Sequence, residues 1–153
     1  MIIKVERTSA HCEASDHNYY RSLTRGGSHD ALEVPFATMV NAFVAFASLG
    51  YHQQRYEPVQ KRQEIFLAIS LDQELHVPVL ASLAFARLRA EEPEATTEDL
   101  ALRLMSTKTI IPLVEGWANG GLRVFQEATE SGSPHLTLAL YKQLEPLLAP
   151  AAA

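Results

Sequence analysis

A mainly α fold is what this sequence predicts: a single compact helical domain of five or six helices, with room for a short N-terminal strand. Three observations point there. Beyond Pro35, apolar residues recur at three- and four-residue spacing through most of the chain. Threonine, serine and proline stand ahead of several of these runs, where helices start. The composition, 47% hydrophobic and 20% charged over 153 residues, suits one globular domain with a substantial core and excludes a long disordered chain.

The elements follow in order. Ile2 to Val5 alternates weakly and carries β-branched side chains, so a short strand is expected there, paired with a distant segment. Thr8 to Pro35 is polar and broken at Gly26-Gly27-Ser28, with one or two helical turns over Asn18 to Leu23, so residues 1–35 read as a polar segment, partly loop. A helix is predicted over 36–49, because Phe36, Val40, Phe43 and Ala47 share one face and Gly50 stands where a C-terminal cap belongs. Tyr51 to Gln63 is polar and interrupted by Pro58, hence a connection. Glu64 to Leu71 is apolar enough for a buried strand or a buried helical turn, and the reading leans towards helix or irregular structure.

Pro78 suits the first turn of a helix that runs to Glu91-Glu92-Pro93. Thr96 or Thr97 caps a short helix to about Ser106, with Glu98 and Asp99 at the positive end of its dipole. Pro112 is expected in the first turn of the next helix, which reaches about Glu130 and contains Gly116, Gly120 and Gly121. Each interior glycine costs about 1 kcal/mol relative to alanine, so close approach of another element is the expected compensation. Ser131-Gly132-Ser133-Pro134 then opens a leucine-rich last helix to about 148, which completes a helical domain over 36–148, and residues 149–153 form a frayed tail.

Charge and motifs narrow the function. Thirteen basic against eighteen acidic residues give a net charge of −5, not the surplus that unaided nucleic-acid binding requires. One cysteine, Cys12, forms no internal disulfide, the start is charged rather than apolar, and no stretch reaches the about 18–20 apolar residues of a membrane span, so a cytoplasmic protein with no membrane partner is expected. His11, Cys12, Asp16 and His17 are metal-capable types, but their spacing matches no zinc signature, and Cys12 lacks a nucleophile motif; no catalytic residue, metal or cofactor is assigned. Neither Gly26-Gly27-Ser28 nor Asn119-Gly120-Gly121 follows a strand as a phosphate loop would. Arg55, Lys61 and Arg62 beside Tyr51 and Tyr56 form the notable basic cluster, a combination that single-stranded nucleic-acid binders use, though a solvated loop is the simpler reading.

Two blocks carry a resemblance. Phe36-Ala37-Thr38-Met39, Phe46-Ala47-Ser48-Leu49-Gly50-Tyr51 and Arg55-Tyr56-Glu57-Pro58 make the first; Trp117-Ala118-Asn119-Gly120-Gly121-Leu122 makes the second. In these the chain resembles the bacterial family called DNA phosphorothioation-associated protein 4, or dnd system-associated protein 4, over about residues 20–147, while Met1 to Asn18 lies outside and the family more often has tyrosine at the place of Trp117. The resemblance implies an accessory, non-enzymatic protein of a DNA modification and restriction (anti-phage defence) system, which binds a larger protein of that complex and meets DNA only indirectly. The expected docking residues are Trp117, Asn119, Gly120 and Gly121, with Tyr51 and Tyr56. The alternative is a small DNA-binding or regulatory protein of the same locus that uses Arg55, Lys61 and Arg62. The leucine-rich last helix is also compatible with a homodimer.

Overall fold

The computed structural model describes residues 2–24 and 35–130. The expected helix over 134–148, the frayed tail and the Gly26-Gly27-Ser28 break lie outside the described residues. Within them the chain is predominantly helical, with five α-helices and a two-stranded antiparallel sheet.

The sheet arises where loop was expected. β1 (Ser9–Glu13) buries Ala10 and Cys12 on one face, and pairs with β2 (Arg62–Leu67) from Ser9 opposite Leu67 to Glu13 opposite Arg62. The register shifts between Ala10 and His11, leaving Ile65 as the extra residue of a bulge. Glu64 to Leu71 therefore resolves as strand followed by a 3₁₀ turn, Ala68–Ser70, not as helix. Ile2 to Val5 forms no strand; Lys4 makes one isolated bridge to Ser106, with its N–H on the Met105 carbonyl at 2.8 Å and its carbonyl receiving the Thr107 N–H at 3.0 Å.

After a 3₁₀ turn at Ala14–Asp16, α1 (His17–Ser22) fills the expected helical turns and buries Tyr20. α2 (Met39–His52) starts at Thr38, whose hydroxyl accepts the Asn41 N–H at 3.2 Å. It runs through Gly50 rather than ending there. The stop is at Gln54, whose φ of 51° is left-handed; the Arg55 N–H reaches back to the Gly50 carbonyl at 2.8 Å, the pattern that glycine usually serves. α3 (His76–Glu91) has Pro78 in its first turn as expected. α4 (Thr97–Arg103) is capped by Thr96, which accepts the Asp99 N–H at 3.1 Å.

α5 (Thr107–Glu130) begins five residues before Pro112, which lies inside the helix rather than at its start. Ser106 opens it: its hydroxyl accepts the Lys108 N–H at 3.2 Å and its carbonyl the Thr109 and Ile110 N–H groups. α2 and α5 form the centre of the fold. Phe46 sits between them, edge-on to Tyr20 and Phe36 at 5.5 and 5.6 Å and 5.4 Å from Phe125. The two helix backbones touch: a methyl group on Gly121 would meet the Phe46 carbonyl oxygen at 1.8 Å, and one on Gly50 the Trp117 carbonyl oxygen at 1.9 Å. The expected close approach is thus present, and it accounts for Gly50 as well.

Candidate functional site

The polar residues that converge lie along one edge of α5. Glu115, Asn119, Arg123 and Glu127 follow one another at four-residue intervals and so share a face. Between them they hold the amino-terminal segment at His11 and Asp16, Arg62 of β2, and the stretch from Arg55 to Glu57. Glu115, buried, accepts the His11 backbone N–H at 3.0 Å, lies 3.0 Å from His11 Nδ1, and accepts from Arg62 at 2.8 Å. Asn119 donates to the Glu57 carbonyl at 3.0 Å. Arg123 binds the buried Asp16 through both terminal nitrogens, at 3.0 and 2.6 Å, and its Nε lies 3.8 Å from Glu57. Glu127 receives Arg55 on both carboxylate oxygens at 2.8 Å.

The alternation of β1 puts His11 on this edge and turns Cys12 the other way, into the core. Burial pushes the Cys12 thiol up to about 12, with the negative charge of Asp16 adding to the effect, the opposite of what a nucleophilic thiolate needs. Asp16 is committed to Arg123, so the expected metal-capable quartet is dispersed. Among the described residues no group of three or more His, Cys, Asp or Glu is placed to hold a metal ion.

Four of the six docking residues expected from the sequence lie inside. Trp117 and Asn119 are buried, and Gly120 and Gly121 face neighbouring backbone, the Arg55 and Phe46 carbonyls respectively. Trp117 meets Tyr51 and Tyr56 edge-on at 5.5 and 5.0 Å. Tyr56 lies over Gly116 with the Arg87 guanidinium 3.8 Å from its ring centre. Of this group Tyr51 is the most exposed, at 40%. Trp117, Asn119, Gly120 and Gly121 are thus spent on packing, and Tyr51 with the half-buried Tyr56 is the part of the expected patch that solvent reaches.

The basic cluster is divided too. Arg55 is gripped by Glu57 and Glu127, whose hydrogen bonds raise its pKa further, and Arg62 by Glu115, so two of the three cations already have carboxylate partners. Lys61 uses its backbone N–H on Glu13. Sequence reasoning missed the α5 edge itself; the signal was the four-residue recurrence of Glu115, Asn119, Arg123 and Glu127, the first three of them the only polar side chains from Ile110 to Phe125. Among the described residues no helix is long and apolar enough to cross a membrane. Compared with protein-family models, with curated proteins and with solved structures, the chain matches none of them.

Proposed function

We propose that this protein is an accessory, non-enzymatic interaction protein of a bacterial DNA phosphorothioate modification and restriction system, acting in the cytoplasm by binding a larger protein of that complex. One observation carries the reading. The residues on which the family resemblance rests, separate in sequence, meet in space as one unit: Phe46 against Gly121, Gly50 against Trp117, Arg55 against Gly120, Tyr56 against Trp117, and Glu57 against Asn119. At Gly50, Gly120 and Gly121 a side chain would run into neighbouring backbone, so packing gives these positions of the resemblance a physical reason to stay small, which supports the reading. The protonated, core-facing Cys12 and the carboxylate-paired Arg55 and Arg62 are consistent with an adaptor.

The test is capture of the tagged protein from its native host, with and without nuclease, followed by mass spectrometry. Modification or restriction subunits that survive nuclease support the adaptor. Loss of every partner with the nucleic acid favours the DNA-binding alternative, and a protein recovered with no partner overturns both.

A further inference from the structure

The outward face of α3 is built like the inside of a protein. From Leu75 to Ala86 the chain has twelve consecutive residues without Asp, Glu, Lys or Arg. Val77, Leu80, Leu83 and Ala84 use the inner side of this stretch for the core, yet the outer side, Leu75, Pro78, Val79 and Ser82, is exposed, Leu75 by 69%. A helix apolar all round is one that is covered all round. Leu75, the residue before α3 with its own backbone still helical, and Val79, Ser82 and Ala86 within it are spaced four, three and four apart, the seam along which two helices pack. Beside it, Ile3, Ala81, Phe85 and Leu104 help to line a groove of about 310 Å³, and Ile2 and Leu102 stand 81% and 62% exposed. The surface is far more apolar than scattered single residues would make it.

The charges at the two ends of this seam identify what covers it. Asp72, whose Oδ1 accepts the Glu74 and Leu75 N–H groups, and Glu74 lie in the turn before α3, and Arg89 at the carboxyl end, over the Phe85 ring, donates to the Pro93 and Ala95 carbonyls and the Thr97 hydroxyl, none of them charged. Among the described residues none of the three belongs to an ion pair within the chain. A pattern of acid, neutral seam and base is complementary to itself when reversed. We infer that this face is covered by a second copy of the chain, α3 packing antiparallel on α3 about a two-fold axis. One register satisfies every element at once: opposite positions sum to 161, which sets Leu75 against Ala86, Val79 against Ser82 and Asp72 against Arg89. A parallel pair would set Glu74 against Glu74. The contact is isologous and closes as a dimer. It goes beyond the adaptor reading and does not rest on it.

Sedimentation velocity of the full chain decides the matter. At about 100 µM, above the range expected for a stable interface, the mass should be twice 16.9 kDa. Val79→Glu, and separately Ser82→Glu, should raise the dissociation constant by about 100-fold or more, since each places a carboxylate in the seam twice, with unchanged circular dichroism. The double variant Leu75→Cys/Ala86→Cys should form an interchain disulfide on oxidation, and neither single variant should. A monomer at that concentration overturns the inference, as does a dimer indifferent to both glutamates. Cross-linking by the single variants overturns the antiparallel pairing, and a monomer that binds a different protein through Val79 replaces the second copy by that partner.

Discussion

Gly121→Ala is the smallest change that probes the α2/α5 seam. The added methyl carbon would lie 1.8 Å from the Phe46 carbonyl oxygen and 2.8 Å from the Gly50 nitrogen. Close carbon to oxygen contacts settle at about 3.3–3.6 Å, so the helices must separate locally by about 1.5 Å. Both neighbours are backbone and neither can rotate aside. Overpacking costs about 1–3 kcal/mol, and this geometry belongs at the upper end. Helix propensity returns about 1 kcal/mol for replacing glycine by alanine, which leaves a net loss of about 2 kcal/mol. For a chain of this size that is a fall in Tm of about 4–8 °C. Urea unfolding followed by far-ultraviolet circular dichroism should show a lower midpoint at unchanged slope. Gly116→Ala is the comparison, because its methyl would meet the Tyr56 ring, a side chain, at 2.3 Å, and a smaller loss is expected. If Gly121→Ala is instead neutral, or stabilises by the helix-propensity increment, the backbone contact is not what requires the glycine.

Other expectations follow from particular contacts. Gln54→Gly should raise stability by about 0.5–1 kcal/mol in the same unfolding experiment, since it relieves the left-handed backbone at φ 51°; a loss would mean that the side-chain bond from Gln54 to the Tyr51 carbonyl outweighs the strain. Asp16→Asn should cost about 2 kcal/mol by weakening the paired bonds from Arg123, and an unchanged midpoint would show the pair to be dispensable. Cys12, with its thiol pushed up to about 12, should resist alkylation in the folded protein and react only once urea unfolds it; stability should fall as pH rises above the ordinary thiol value, because only the unfolded chain then ionises. The Gln60 and Lys61 N–H groups hold the Glu13 carboxyl below the usual glutamate range, so its contribution is present above that range and lost as pH falls through the folded value; a carboxyl NMR titration should show the low midpoint, and Glu13→Gln should flatten the acid side of the stability curve.

The helices were legible because their signals are local. Thr38, Thr96 and Pro78 mark starts by chemistry confined to one turn, and the apolar spacing that follows sets the buried face. The strands were not, because they are stabilised from a distance. β1 offers only Ala10 and Cys12 to the core, and the first half of β2 is Arg62, Gln63 and Glu64, all exposed; each is a strand by virtue of the other. The early start of α5 was hidden because Ser106 reads equally well as the end of α4. Gly50 reads as a cap because glycine usually is one, whereas here Gln54 accepts the left-handed turn and glycine serves packing. For the site, the resemblance picked out residues that do lie together, but periodicity could not say whether they face partner or core. The ion pairs along α5 join residues 53 to 107 positions apart, beyond the reach of any local pattern.

The polar edge of α5 has a consequence for the order in which the chain acquires its structure. His11 and Asp16 find their partners 104 and 107 residues downstream, and Lys4 is held by the segment that opens α5. At a synthesis rate of about 5–20 residues per second, the amino-terminal segment waits on the order of 5–20 s for those partners to leave the ribosome. For about the first half of that interval β1 lacks its strand partner as well as its helix, since β2 follows it by 49–58 residues, and an unpaired strand is a site for wrong association. The fold therefore closes late and at long contact order, which places it among the slower helical domains. Among the described residues, the first are secured only when α5 arrives.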